Sequence, residues 1–247
     1  MNSIIVKAFF KSSLVITITY FFFFESEAQE SDYFEYQNEI LWGINKNTNG
    51  GLIGGLNLKF GNKIKDNTYR IYGIEIVNVK HPKEYKYTSP FGGDNFIWAK
   101  QNTMYSLRMQ YGIEKSIFNK KDENGIQINA HLSGGPGLGF LVPYYIRYNR
   151  NNAVVIEAFD SSIHNFNNVI GTAGFLEGIN EVKIRPGISL KSAVNFEFGS
   201  MKKGSVALEV GFLAEAFTKK MIIMPTVKNK SIFTSAFITL FYGRKWK

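Results

Sequence analysis

Three histidines are the residues of this sequence best suited to proton transfer or metal binding. His131 falls within a predicted strand, and the other two fall in predicted loops. The combinations that a serine-type or lipid-transfer enzyme would use are His81 with Ser89, and His164 with Asp160 and Ser161. Such combinations occur by chance in loops of this size, because a triad is defined by geometry and not by composition. No two histidines have ligand spacing and there is no cysteine, so we expect no catalytic residue, no metal site and no cofactor.

A second set of chemically capable residues carries charge at alternate positions of apolar segments. Strict alternation is typical of strands with one apolar and one polar face. We predict a barrel-interior polar network formed by Glu39, Lys59, Glu75, Arg108, Glu114, His131, Lys191, Glu197, Glu209 and Glu215. A proton relay or a general acid–base pair is the functional alternative. Because buried charges must be paired, we interpret the mixed signs as mutual neutralisation.

The run Gly134-Gly135-Pro136-Gly137-Leu138-Gly139 resembles a phosphate-binding loop only in its glycine content. It lacks the Lys-Ser/Thr pair and the following helix that phosphate binding requires. Glycines within a strand more often mark a bulge, a bend or the close approach of another backbone. We expect the strand to leave a membrane just after this run, near Val142 to Tyr145.

The segments that position these residues are predicted to be β-strands. The chain combines 15% aromatic residues and 23 glycines with only 6 prolines, a composition that suits strands and turns. Between Ser205 and Phe217, apolar residues occupy every second position, and seven further segments repeat this pattern. The predicted strands cover residues 39–45, 52–60, 72–76, 105–114, 126–133, 188–198, 205–217 and 232–242. We therefore expect an all-β fold, an eight-stranded antiparallel transmembrane β-barrel.

The connections between these strands alternate in length. The predicted periplasmic turns are short and polar, at residues 61–67, 119–125 and 199–204. The predicted outer loops are the tight turn 47–50, then 81–102, 145–182 and 218–231. Short turns on one side and longer loops on the other are typical of outer-membrane barrels.

The N-terminal segment predicts the compartment. Lys7 and Lys11 precede an apolar run that ends at Phe24, and Ser26-Glu27-Ala28 has small residues where a signal peptidase reads. We expect a cleaved signal peptide at 1–28 and a barrel domain at 29–247, located in the outer membrane with its lipid as a partner. The formal charge of +9 is scattered along the chain, so we expect no nucleic-acid partner.

The two long outer loops carry aromatic and basic residues of the kind found at protein contacts. The candidate contacts with another outer-membrane or surface protein are Tyr85, Tyr87, Phe91, Phe96, Trp98, Tyr145, Arg147 and Phe166. The alternative is an aromatic belt at the membrane interface, with the loops packed on one another. The stretch Asn165–Leu176 is expected to form a short helix or an irregular lid.

Four features resemble the small outer-membrane barrels of Bacteroidota, over about residues 32–247. They are the Ala28-Gln29 junction, the stretch Asn78–Glu84, the glycine run at 134–139 and the ending Phe237–Gly243. The resemblance implies an accessory subunit of an outer-membrane assembly or secretion complex. We therefore expect a non-enzymatic structural subunit. The alternative is a lipid-modifying enzyme or a barrel that binds a small hydrophobic ligand.

Overall fold

A computed structural model of the chain describes residues 37–51, 54–92, 94–119, 125–174, 177–201 and 204–246, without the side chains of 199–201. Internal contacts divide the chain into units of residues 1–32 and 33–247, and all described residues lie in the second unit. The predicted signal peptide, residues 1–28, lies outside the described residues.

Strands dominate the described ranges. They are β1 (Asn38–Asn47), β2 (Gly55–Lys65), β3 (Thr68–Val79), β4 (Lys86–Thr88), β5 (Asn95–Ile97), β6 (Asn102–Phe118), β7 (Gln127–Pro143), β8 (Tyr145–Arg150), β9 (Ala153–Ala158), β10 (Val169–Thr172), β11 (Lys183–Met201), β12 (Gly204–Phe217) and β13 (Ile232–Trp246). Two 3-10 turns are formed by Phe166–Asn168 and Ile179–Glu181. Within these ranges no helix is long and apolar enough to cross a membrane.

Eight of the strands close into an antiparallel barrel in the order β1-β13-β12-β11-β7-β6-β3-β2. Closure comes from the pairing of β1 with β13, which sets Asn38 opposite Trp246 and Asn47 opposite Phe237. The eight-stranded antiparallel barrel predicted from the sequence is therefore confirmed.

The wall of the barrel is apolar on its outer face and largely polar on its inner face. Along β12, Val206, Val210 and Phe212 face outwards, whereas Glu209 and Glu215 are buried inside. The large outward side chains of the other barrel strands are also exposed, among them Trp42, Leu58, Ile74, Tyr111, Leu132, Leu190 and Leu240. The period of two places successive side chains on opposite faces of a strand, and here the exposed outer face is the apolar one, the reverse of the usual soluble pattern.

The barrel has a short-turn end and an outer end. At the short-turn end β2 and β3 are joined through Asp66-Asn67, and Asn67 adopts a φ of 58°, which asparagine tolerates better than most residues. At the outer end β2 begins at Gly55 and not at the predicted Leu52. Glycines at 50, 51, 54 and 55 lower the strand propensity there, so the β1–β2 connection is longer than the predicted 47–50 turn.

Three adjacent strands are much longer than the sequence pattern predicts. β6, β7 and β11 contain 17, 17 and 19 residues, whereas a membrane-crossing strand needs about 9–11. β7 passes through the glycine run in continuous register with β11. Close approach explains Gly139, because a Cβ there would lie 2.5 Å from Met221 Cε and 2.8 Å from Phe217 Cε1.

The last barrel strand is also longer than predicted. The sequence pattern places its end at residue 242, but β13 continues to Trp246 and pairs with β1 along that length. Alternation explains the extension, because Phe241, Gly243 and Lys245 continue the inward face while Tyr242 and Arg244 point outwards.

The two long loops form an ordered structure at the outer end, here called the head. It consists of the β4–β5 hairpin and a three-stranded sheet in the order β10-β8-β9. Asn165–Leu176, predicted as a short helix or a lid, instead contains the 3-10 turn and strand β10, with residues 175–176 outside the described ranges. The β-branched pair Val169-Ile170 favours the strand.

Candidate functional site

The structure places all ten residues of the predicted polar network inside the barrel. Each is at most 5% exposed, and each lies on the inward register of its strand. Strand pairing brings them together from β1, β2, β3, β6, β7, β11 and β12, which alternation alone could not specify. The group, called here the interior network, is the largest concentration of titratable side chains in the described residues.

Lys59 is the central cation of the network. Its ammonium group pairs with Glu114 and lies 3.9 Å from a carboxylate oxygen of both Glu39 and Glu209. It also faces the ring of Phe241 at 5.7 Å. Three carboxylates around one buried ammonium satisfy the requirement that buried charge be paired.

In addition to Lys59, His131 and Lys191 contact the carboxylate of Glu209. The His131 Nδ1 atom lies 3.0 Å from Glu209 Oε2, and the Lys191 ammonium lies 2.7 Å from Glu209 Oε1. The His131 Nε2 atom is buried and has no hydrogen-bond partner among the described residues. A neutral histidine that donates from Nδ1 to the carboxylate leaves Nε2 as an unprotonated acceptor.

Nearer the outer end, Arg108 links a glutamate of β3 to a glutamate of β12. Its Nε and Nη2 donate to the two oxygens of Glu215 at 2.9 Å each, and its Nη1 lies 3.5 Å from Glu75 Oε2. Ser106 donates to Glu215 at 2.8 Å, and Gln110 donates to Glu75 at 3.0 Å. The bidentate geometry makes this pair the most directional contact of the network.

Sequence reasoning missed one member of the network, Lys245. Its ammonium group pairs with Glu197 and lies 3.5 Å from Glu39 Oε2, near the short-turn end. The sequence signal that could have identified Lys245 is the alternation of inward and outward side chains, which continues to the end of β13. With Lys245 included, six buried carboxylates face the four cations Lys59, Arg108, Lys191 and Lys245.

Glu114, His131 and Glu209 are the residues that could hold a metal ion, because each offers a ligand atom within 4.8 Å of the others. They come from three strands, so no sequence spacing connects them. The ammonium groups of Lys59 and Lys191 already contact the two carboxylates. A divalent cation would have to displace them, so the arrangement favours ion pairing over metal binding.

An apolar cluster closes the mouth of the barrel above the network. Met221, Ile223 and Met224 of the β12–β13 connection are buried against Met104 and other residues of the wall, namely Val77, Val79, Leu141 and Phe217. The amides of Gln101 and Asn102, just before and at the start of β6, both donate to the Ile223 carbonyl, at 2.9 and 3.1 Å. The connection therefore crosses the mouth, and this mouth cluster leaves the barrel sealed at its outer end.

The head has a separate aromatic core. Phe96, Ile146, Tyr148, Phe159 and Val169 are buried together. Phe96 is 1% exposed, so its prediction as a partner contact is wrong. Phe96 is buried because β5 packs beside β10, where its ring covers the apolar face of the β8–β9 sheet.

The other predicted contact residues separate into two groups. Tyr85, Tyr87 and Phe91 are 63%, 41% and 52% exposed on the head. Trp98 and Phe166 are half-buried, with ring centroids 5.4 Å apart, and both pack on the head core. Tyr145 and Arg147 are half-buried as well, where Tyr145 donates to Glu181 at 2.7 Å and Arg147 pairs with Asp94.

Polar contacts outside the barrel wall hold the loop between β3 and β6 in place. Lys100 is buried and its ammonium lies 2.8 Å from Glu84 Oε2. Burial lowers the pKa of Lys100, although the Glu84 carboxylate partly opposes that shift. Burial raises the pKa of Tyr144 to about 12, and its hydroxyl accepts a hydrogen bond from the Ile97 amide at 3.0 Å.

The histidine combinations considered for catalysis are held by structural contacts. His164 Nδ1 accepts from the Asp160 amide at 2.9 Å and Nε2 lies 3.0 Å from Glu157. Asp160 instead accepts from Ser162, which lowers the pKa of its carboxyl group. Ser89 is buried and donates to the Val169 carbonyl at 2.8 Å. Neither combination has the relay geometry of a nucleophile and its base.

No family model matches the chain, and no curated protein matches it either. Neisserial surface protein A (NspA) is similar in structure, at 8% identity and a TM-score of 0.38, over 85% of this chain and 95% of that one. Ail, the attachment invasion locus protein of Yersinia pestis, solved in complex with the heparin analogue sucrose octasulfate, is 9% identical with a TM-score of 0.40, over 86% of this chain and 99% of that one. At these values neither similarity carries an argument about function.

Proposed function

We propose that the chain is a non-enzymatic outer-membrane β-barrel that serves as a structural or accessory subunit of an envelope complex. The observation that carries the membrane assignment is the outer wall, where large apolar side chains are exposed on every barrel strand. Continuous apolar surface of this extent marks contact with lipid or protein. A closed barrel satisfies its own backbone hydrogen bonds, as a lipid environment requires.

Aromatic pairs on the outer wall support the same assignment. Phe60 lies near Trp246 and Tyr72 near Tyr111, with ring centroids 6.3 and 5.4 Å apart, towards the short-turn end. Trp42 and Tyr242 form a third pair at 5.7 Å. Membrane barrels carry such aromatic girdles at the interface between hydrocarbon and water.

The interior supports a platform and not a channel. Paired charges fill the middle of the barrel, and the mouth cluster seals the outer end. Eight-stranded barrels of this kind have interiors just wide enough for their own side chains. Function therefore depends on the surface that the head presents.

Within the head, Tyr85, Tyr87 and Phe91 are the residues best placed to contact another envelope or surface protein. They are exposed although they lie next to an ordered aromatic core. Aromatic side chains on a rigid support lose little conformational entropy on binding and dominate many interfaces. The type of complex, for which assembly or secretion is our proposal, rests on the sequence resemblance.

The test is co-purification from native outer membranes in mild detergent, comparing the wild type with a Tyr85→Ala/Tyr87→Ala/Phe91→Ala variant. We expect a partner protein with the wild type and its loss with the variant. Ile163→Ala/Ile179→Ala removes comparably exposed side chains from the same head and should retain the partner. Heat-modifiable gel mobility reports whether each barrel is folded. A wild type that purifies with no other protein would refute the subunit role.

A further inference from the structure

Strand β9 forms an open edge of the head sheet. The sheet order is β10-β8-β9, so β9 pairs with β8 on one side only. Among the described residues, no backbone hydrogen bond joins β9 to a segment other than β8. Val154 and Ile156 are 64% and 53% exposed along it. A solvent-facing edge with apolar side chains is a site for strand pairing.

The hairpin geometry shows which backbone groups face the open edge. Asn151 and Asn152 have φ values of 52° and 63°, the two positive angles of a type I′ turn. Arg150 and Ala153 flank this two-residue turn and therefore form a hydrogen-bonded pair, after which hydrogen-bonded pairs alternate with non-hydrogen-bonded ones. The N–H and C=O groups of Val154, Ile156 and Ala158 consequently point away from β8.

The two faces of β9 carry different kinds of side chain. Val155 and Glu157 face the head core, where Val155 packs on the aromatic cluster and Glu157 binds Arg150 and His164. Val154 and Ile156 lie on the opposite face, and Ala158 follows them. The edge residues are thus uncharged, and the only acidic residue of the strand is neutralised on the other face.

β9 lacks three of the features by which natural edge strands avoid pairing. It contains no lysine, no proline and no bulge against β8. Native sheets usually protect an exposed edge with at least one of these. The barrel strands, by contrast, have no open edge, because the sheet closes on itself.

We propose that β9 pairs antiparallel with β9 of a second copy of this chain, joining the two heads through one continuous six-stranded sheet. With Ile156 opposite Ile156, Val154 lies opposite Ala158 on each side, and no like charges meet. Three residues on each edge supply about six backbone hydrogen bonds. The contact is isologous, so it closes at two copies. It is independent of the partner that Tyr85, Tyr87 and Phe91 contact.

Because the chain has no cysteine, single cysteine variants report this contact directly. In a hydrogen-bonded antiparallel pair, opposite Cα atoms are about 5.5 Å apart, within the range that a disulfide spans. We expect the full-length Ile156→Cys variant, oxidised with copper phenanthroline in outer membranes, to form disulfide-linked dimer about tenfold faster than Ile163→Cys. Ile163 is the matched control, at 61% exposure on the same head.

A second variant tests the backbone. Ile156→Pro removes an N–H that faces the open edge, so it should leave the β8–β9 hairpin intact. In the wild type, lysine cross-linking in membranes should capture dimer, and Ile156→Pro should abolish that product while heat-modifiable mobility persists. Dimer in folded Ile156→Pro would overturn the proposal. The proposal would also be overturned if Ile156→Cys stays monomeric, if it forms a disulfide no faster than Ile163→Cys, or if it links to a protein of another mass.

Discussion

Arg108 shows how single side chains hold the interior of this barrel together. It is the only cation in the described residues that contacts Glu75 or Glu215, and it binds Glu215 through two parallel hydrogen bonds. Removing it would leave two buried carboxylates without a counter-charge. Breaking one partner of a buried ion pair is far more costly than replacing the whole pair by apolar residues.

We predict that Arg108→Met lowers the free energy of unfolding by about 3–5 kcal/mol. Urea titration of the barrel refolded in vesicles, followed by heat-modifiable mobility, measures the change. Arg70→Met removes an exposed arginine from the neighbouring strand β3 and should change stability by less than about 0.5 kcal/mol. Equal effects of the two substitutions would contradict the buried ion-pair assignment.

The residues of the interior network could be predicted individually but not as pairs. Alternation assigns Glu114, Glu209 and Lys59 to the inner face, because the period of a strand is two. It does not say that Lys59 lies between the other two, since that depends on register and barrel closure across strands far apart in sequence. Phe96 was misassigned for a similar reason, because aromatic residues in a loop look alike whether they face solvent or a local core.

At the scale of elements, the β12–β13 connection has the clearest structural role. Asn229 holds it in shape: its side-chain nitrogen donates to the carbonyls of Met224 and Val227 at 2.8 and 3.0 Å, and its oxygen accepts from the amides of Ile223 and Met224. These bonds present Ile223 and Met224 to the mouth cluster. The sequence pattern predicted only a loop at 218–231, because its short apolar run has no regular period.

We predict that Asn229→Ala destabilises this connection by about 1–3 kcal/mol, because buried backbone groups lose their partners. Limited proteolysis should then cleave within residues 218–231, where the wild type resists. Thr226→Ala changes an exposed residue of the same connection and serves as the control. If Asn229→Ala remains as resistant as Thr226→Ala, the side chain does not hold the connection closed.

At the scale of the whole molecule, the barrel and the head are supported by different cores. β7 and β11 pair directly from Leu141 and Lys183 downwards, so the barrel does not need β8, β9 or β10 to close. Trp98 packs on both the mouth cluster and the head core and is the main apolar link between them. Strand number and loop sorting were readable from the sequence, whereas the ordered head was not, because its short strands give little periodic signal.

Replacing residues 145–182 by a short glycine-containing turn should therefore leave a folded, heat-modifiable barrel. We expect a loss of stability of about 1–3 kcal/mol from the exposure of Trp98. The partner should also be lost, because the hairpin that carries Tyr87 no longer packs on Phe166. Urea titration in vesicles and mild-detergent purification measure these two effects. A deletion that prevents folding altogether would show that the head and the barrel form one cooperative unit.

The pairing of Asn38 with Trp246 also constrains when this protein can fold. The first and last barrel strands meet, so the final hydrogen-bonded seam joins segments at the greatest sequence separation in the fold. Such long-range pairing makes folding slow. Until β13 has arrived, β1 and the last strand in place both remain open and ready to pair with other chains. We therefore expect the pairing of β1 with β13 to be a late step of folding.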